Sequence, residues 1–393
     1  MEKAVLLRGA RVAISSSRAA NLDLWLSKGL ISFSPVSSAQ TPTLDLDNCL
    51  VLPGLINAHD HLELNLFPKL GRGPYRNASA WAQDIYHPHE PPVREHLAVP
   101  RALRLRWGGI KNLVSGVTTV AHHNALHPVF ADRTFPVRVM KQYGWAHSLH
   151  FSPDWEMRLR STPANWPFVI HAAEGTDEAS SREIDILAEA GALRPSTILV
   201  HGVAIGFSHV SLLTRKRTSL VWCPTSNHFT LKRSLDAAVL NSAIPIALGT
   251  DSALTADGDL LDELRVAHRI VDAHRLYRMV TSEPARIFRL PTGFGRICHG
   301  GPADLLIVRD SGQTPGMTLL NAYPELVIVR GRVQLASAEF VRCCPPRIVK
   351  SLQPLDVEGR GRYLVSEDVS SLLSETKEAL RQNPRLAGKA VAA

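Results

Sequence analysis

From residue 51 onward the chain repeats one rhythm, and that rhythm limits the folds open to it. A short apolar run closes on polar residues, a segment with helical spacing follows, and the next apolar run begins. The runs are "LVLPGLINAHDH", "GVTTVAHHN", "GWAHSLHF", "PFVIHAAEG", "STILVHG", "SLVWCPTSN" and "IPIALGTDS", and their polar ends fall near 59, 122, 150, 171, 201, 224 and 251. Stretches such as "ILVHG" are apolar throughout before the polar end, as strands are when helices cover both faces of a parallel sheet. "SREIDILAEAGAL" and "GDLLDELRVAHRIVDAHRLYRMV" space apolar residues three and four apart and read as the covering helices. Repeated βα units with polar strand ends leave two architectures, a TIM barrel or a doubly wound sheet. Seven strands are clear. The segment "SPDWEMRLRSTPANW" is too short for a helix, a strand and a second helix, which points to a truncated fourth unit.

Both ends of the chain have a different texture. Residues 4–50 alternate and are punctuated by Gly, Ser and Pro, as short strands and turns do. The same texture returns after about 292, in "GRICHGGPADLLIVRD" and "ELVIVRGRVQLAS". The expected organisation is α/β: a (β/α)8 barrel over 51–294 beside a small β-sandwich domain built from 1–50 and 295–345. Residues 346–393 form a C-terminal extension of mixed charge, and its end, "RQNPRLAGKAVAA", reads as frayed.

Composition excludes several classes. The 393 residues are 45% apolar and 20% charged, a globular balance. No apolar run reaches the ~18 residues needed to span a bilayer. The opening "MEKAVLLRGARVAISSS" carries an acid at position 2 and does not read as a signal peptide. Five cysteines, Cys49, Cys223, Cys298, Cys343 and Cys344, form no CxxC pair, so a reducing cytoplasm is the expected compartment. Net charge is +8, but the Lys and Arg residues are dispersed and not interleaved with aromatics. The expected partner is therefore a small molecule, with neither nucleic acid nor membrane involved and a homo-oligomer open.

The chemistry is read from the histidines, of which there are 17. Residues i and i+2 of a strand face the same side, so His59 and His61 at a strand end aim two imidazoles at one point, as ligands of a transition metal do. A polar strand end with a chance histidine pair is the plain alternative. Later strand ends change the balance, since His171 closes "PFVIH", His201 closes "ILVH" and Asp251 closes "IALGTD". In a barrel these ends converge on one face, where burying so many polar groups is costly without a partner. Taken alone, His201 reads equally as a satisfied buried histidine and Asp251 as a cap. Glu174, three residues after His171, reads as an acid/base beside the metal or as a first-turn acid of the next helix.

These motifs, with "PARIF" and "ADLLIV", resemble the amidohydrolase superfamily, in the branch of cytosine, guanine and adenosine-type deaminases and triazine hydrolases. The resemblance covers roughly residues 1–340. It implies one divalent metal, Zn²⁺ or in some members Fe²⁺, held by His59, His61, His171 and Asp251. It also implies Glu174 as proton shuttle and His201 as the residue that polarises the water or carbonyl, with Asp251 accepting the water's proton. Relatives with two metals hold a carboxylated lysine at the end of the fourth strand, and no lysine stands between Lys141 and His171. In relatives the loop after the first strand covers the substrate, which here nominates Trp81, Gln83, His87 and His89; a plain surface loop is the alternative. His122, His123, His147 and His150 are expected to line the pocket or satisfy buried groups. Asn227 is expected to contact substrate or to cap a turn. Cys223 is read as packing. The implied function is a metal-dependent C–N hydrolase, first of all an aminohydrolase of a heterocyclic amine. An amide, cyclic-amide or C–Cl hydrolase with the same site, or a non-catalytic scaffold, are the alternatives.

Overall fold

The fold is seen in a computed structural model that describes residues 4–36 and 41–393. Residues 1–3 and 37–40, part of the N-terminal strand region expected above, lie outside it. The centre is a set of eight parallel strands. Leu55–Asp60, Val117–His122 and Arg138–Val139 form one sheet; Gly144–Ser148, Phe168–Ala172, Thr197–His201, Ser219–Trp222 and Ile246–Leu248 form another. A parallel bridge between Asp60 and Asp251 joins the first strand to the eighth, where the backbone N–H groups of Thr250 and Asp251 both donate to the His59 carbonyl, at 3.0 and 3.1 Å. Gly249 makes this approach possible. A Cβ there would stand 2.7 Å from the Cβ of His59.

The shortened unit is the third and not the fourth. The strand that pattern reading missed is Arg138–Val139, two residues long, and only Met140–Tyr143 separate it from the fourth strand. Two residues are too few for a periodic signal to show. The segment read as truncated holds a single helix, Trp155–Ser161, between the fourth and fifth strands. Side chains cross the gap beside the short strand: His123 Nε2 lies 3.0 Å from the Ala146 carbonyl, and the Tyr143 hydroxyl donates to the His122 carbonyl. The helical stretch after the eighth strand also breaks, into Leu260–Ala267 and Ala273–Met279, because Asp272 caps the second piece by accepting from the Arg275 N–H at 3.0 Å.

The two ends of the chain meet in a ten-stranded sheet. Cys49–Pro53 lies antiparallel to Leu305–Arg309 and parallel to Arg11–Ala13. Gly54 separates this strand from Leu55–Asp60, the first of the parallel set. Gly54 packs on the Thr118 side chain, where a Cβ would come within 2.2 Å of Oγ1. Strand alternation decides the packing. Leu50 and Leu52 face the core of the α/β part, while Val51 joins Leu7, Leu24, Leu26 and Leu44 of a four-stranded N-terminal sheet in a second cluster. The end of the chain, 381–393, is not frayed, and the residues from 346 onward are structured. Gln353–Val357 and Gly361–Val365 extend the ten-stranded sheet, the helix Val369–Leu380 accepts a bond from the Trp107 indole at Thr376 (2.9 Å), and Arg385–Leu386 pairs with Lys389–Ala392. Among the described residues no helix is long and apolar enough to cross a membrane.

Candidate metal centre and active site

The C-terminal ends of the first, fifth, sixth and eighth strands bring His59, His61, His171, His201 and Asp251 together, all buried. His59 Nε2 is 3.0 Å from His171 Nε2, and Asp251 Oδ1 is 3.7 Å from Nε2 of both His59 and His61. Donors that share one ion at ~2.0–2.2 Å must lie roughly 3–4 Å apart, so these separations fit a single small cation. Ligand atoms of His59, His61 and Asp251, and those of His59, His171 and His201, all lie within 4.8 Å of one another.

The local backbone is unusual where the donors sit. Ala173, His201 and Asp251 have φ of 55°, 75° and 56°. L-residues held in the left-handed region cost energy and cluster at functional sites. The aspartate is aimed by its neighbours: Ser226 Oγ donates to Asp251 Oδ2 at 2.6 Å and Thr255 Oγ1 at 3.2 Å, leaving Oδ1 towards the histidines. His201 Nδ1 donates to Asn227 Oδ1 at 2.7 Å, which turns Nε2 towards Glu174 Oε2, 3.5 Å away, and Asp251 Oδ2, 4.0 Å away.

Electrostatics follow from burial. It pushes His59 down to about 4, with the His61 charge adding, against the pull of Asp251. It holds His171 well below the usual imidazole value, helped by His123, His147, His59 and His201. Both imidazoles are thus neutral and able to ligate. Burial works to raise the Asp251 carboxyl, but the His59 bond and the charges of His201, His61 and His59 outweigh it, so it stays ionised. Glu174 is pushed up to about 7 by burial, with Asp251 and Glu183 adding and His201 opposing. A carboxylic acid that is half protonated near neutral pH suits proton transfer.

A cavity of about 350 Å³ opens onto Asp251, His61, His171, His201 and Glu174, walled by Leu64, Trp81, Ile85, Tyr86, Phe151 and Leu254. The loop after the first strand does fold over the site, as the helix Ala78–Ile85. It is stitched to the loop after the fifth strand, since Ala78 N donates to the Glu174 carbonyl (3.0 Å) and Asn77 Nδ2 to Asp177 (2.6 Å). Trp81 lines the cavity, with its indole N–H bonded to the Leu70 carbonyl. Gln83 does not: Ala78, Trp81, Ala82 and Ile85 make the inner face, and position 83 is exposed. His87 and His89 are exposed beyond that helix. His122 is fully buried but turned away, between the Leu62 N–H (3.3 Å) and Glu63 (3.5 Å). Asn227 holds His201 and lines no part of the cavity. His147 lines it, His150 lines an adjoining cavity of about 230 Å³, and Cys223 is a buried thiol pushed well up by burial. Asn124, Ser226 and Thr255 were missed because single Asn, Ser or Thr residues in loops carry no pattern.

The amidohydrolase family profile matches residues 162–334, which include the fifth to eighth strands. Over that stretch the chain is similar to the amidohydrolase family. Among similar proteins, a 5-methylthioadenosine/S-adenosylhomocysteine deaminase of Halobacterium salinarum is 27% identical over 326 residues, 68% of this chain and 74% of that protein. The enzyme of the same name from Pyrococcus furiosus is 25% identical over 359 residues, 74% and 81% of the two chains. In fold, the chain is similar to a zinc-bound atrazine chlorohydrolase from Arthrobacter aurescens, with TM-score 0.72, 17% identity, and coverage of 96% of this chain and 100% of that one. It is also similar to a zinc-bound adenosine deaminase from Xanthomonas campestris, with TM-score 0.65, 17% identity, and coverage of 96% and 98%.

Proposed function

We propose that this protein is an amidohydrolase and acts as an aminohydrolase of a heterocyclic amine, using one zinc ion held by His59, His61, His171 and Asp251. The observation that carries the reading is the meeting of three imidazoles and one carboxylate at ion-sharing distances, on the floor of an aromatic-walled cavity. In this reading the eight strands form a closed barrel, and residues 1–50 and 295–345 form a β-sandwich domain beside it. Such an ion, when bound, supplies Lewis acidity and a water acidic enough to ionise near neutral pH.

The rest of the chemistry belongs to side chains. Asp251, fixed by Ser226 and Thr255, takes the proton from the attacking water. His201, held by Asn227, presents Nε2 to the charge that develops on the attacked carbon's substituents. Glu174, in its protonated form, gives its proton to a ring nitrogen or the departing amine as the C–N bond breaks. Trp81, Ile85, Leu64 and Leu254 exclude water and suit a flat ring. The deaminase names of the relatives support an adenosine-type amine as the first substrate to try.

Two measurements test this. Purified protein should carry about one zinc per chain, and His59→Ala or His61→Ala should lose most of it. A screen of aminopurines, aminopyrimidines and their nucleosides should release ammonia. Full zinc in both variants would remove the ligand assignment. Zinc without ammonia, but with chloride released from a chlorinated heterocycle or a carboxylic acid formed from an amide, would move the reaction to another bond.

A further inference from the structure

Beneath the donor cluster lies a second buried polar group that the reaction above does not use. Asp60, between His59 and His61, points its carboxylate away from them and is fully buried. Lys111, on the helix Arg101–Leu113, is 2% exposed. Its Nζ lies 2.8 Å from Asn65 Oδ1, 3.0 Å from Thr250 Oγ1 and 3.1 Å from Asp60 Oδ2, so each of its three N–H bonds has an acceptor. Asp60 accepts from Asn65 Nδ2 and Asn112 Nδ2, both at 2.8 Å, and from Thr250 Oγ1 at 3.1 Å. Asn57 Nδ2 reaches Asn112 Oδ1 and Thr250 Oγ1, both at 2.9 Å.

We propose that Lys111, through Asp60 and Thr250, is a positioning residue that clamps the end of the first strand to the end of the eighth and so sets the spacing of the metal donors. The inference rests on the metal reading given above. Three observations carry it. Lys111 bonds at once to a side chain from each of the two segments that bear His59, His61 and Asp251. Among the described residues the seam it spans has a single bridge pair, Asp60 with Asp251, so backbone pairing alone fixes it weakly. Thr250 and Asp251 lean on that seam, and Asp251 keeps a left-handed backbone there. A buried ion pair is a poor source of stability, since apolar residues of similar volume often serve as well. A fully satisfied charged network at this one place fits a role in register and geometry better than one in stability.

The test separates geometry from stability. Zinc affinity is measured by chelator competition, and the melting temperature is measured on metal-free protein. Lys111→Met leaves Asp60 unpaired and should lower both. Asp60→Asn combined with Lys111→Met removes both charges, so its metal-free melting temperature should return towards wild type. Its zinc affinity should remain 10–100-fold weaker, the usual effect of removing a partner that orients a ligand. Thr250→Val should weaken zinc several-fold with the charges intact, and it carries the comparison if the double variant does not fold. Zinc affinity in these variants within twofold of wild type would overturn the clamp and leave the metal reading standing. Absence of zinc from the wild-type protein would instead remove the metal reading itself.

Discussion

Glu174 is the residue whose chemistry depends most on where the fold places it. In water a glutamate is ionised at neutral pH; buried beside Asp251 and Glu183 it is pushed up to about 7. A general acid works in its protonated form, and that form is lost as pH rises through about 7. Turnover should therefore show an alkaline limb near that value. Glu174→Gln should lower kcat by roughly 10²–10⁴, the usual acid–base contribution, and abolish the limb while zinc content stays near normal. Zinc loss in that variant would make Glu174 a ligand, and unchanged turnover would make it a cap of the next helix.

At the scale of elements, the close approach of the first and eighth strands depends on a missing side chain. Gly249→Ala would put a Cβ 2.7 Å from His59 Cβ and 2.9 Å from its backbone nitrogen. The strands must part, at a cost of about 1–3 kcal/mol for overpacking, and zinc binding should weaken with the seam. Calorimetry together with zinc titration checks both effects. The helix Leu260–Ala267 carries a different signature. Its Glu263 accepts from the Thr225 N–H at 3.1 Å and is pushed up to about 8, first by burial and then by Asp251, against Thr225 and Lys111. Its folded value lies above the ordinary value of 4.5. The folded chain therefore keeps a proton that the unfolded chain releases, and this contribution to stability falls as pH rises from about 4.5 to about 8. Glu263→Gln should flatten that part of the curve of melting temperature against pH. Parallel curves for the two proteins would refute the shift.

Across the whole molecule, the C-terminal region is bound to the functional end. Ala387 N donates to the Asn65 carbonyl at 2.8 Å, and its own carbonyl accepts from Gly258 N at 2.9 Å, so the last strands touch the loops after the first and eighth strands. Arg360, 2% exposed at its side chain, bonds Asp259 at 2.7 Å and Asp262 at 2.8 Å. Arg360→Ala would leave the buried Asp259 carboxylate without its cation and should destabilise the fold by about 3–5 kcal/mol, read by denaturant unfolding. A loss below about 1 kcal/mol would show that the C-terminal strands are held by apolar packing alone.

The sequence by itself determined the strand rhythm and the polar residues at strand ends, because side-chain period and burial are written in local order. It marked His59, His61, His171, His201 and Asp251 as a group, since each closes an apolar run. The pairing of Leu50–Cys49 with Val308–Arg309 across the chain, and the order of the seam, were decided only by the tertiary structure. So were the two-residue third strand, the outward turn of Gln83 and the buried His122 turned away from the cavity. A two-residue strand has no period to detect, and the direction of a lone polar side chain depends on neighbours far away in the chain. The raised Glu174 and the Lys111 clamp belong to the same class. Burial and long-range hydrogen bonds create them, and neither exists until strand one meets strand eight.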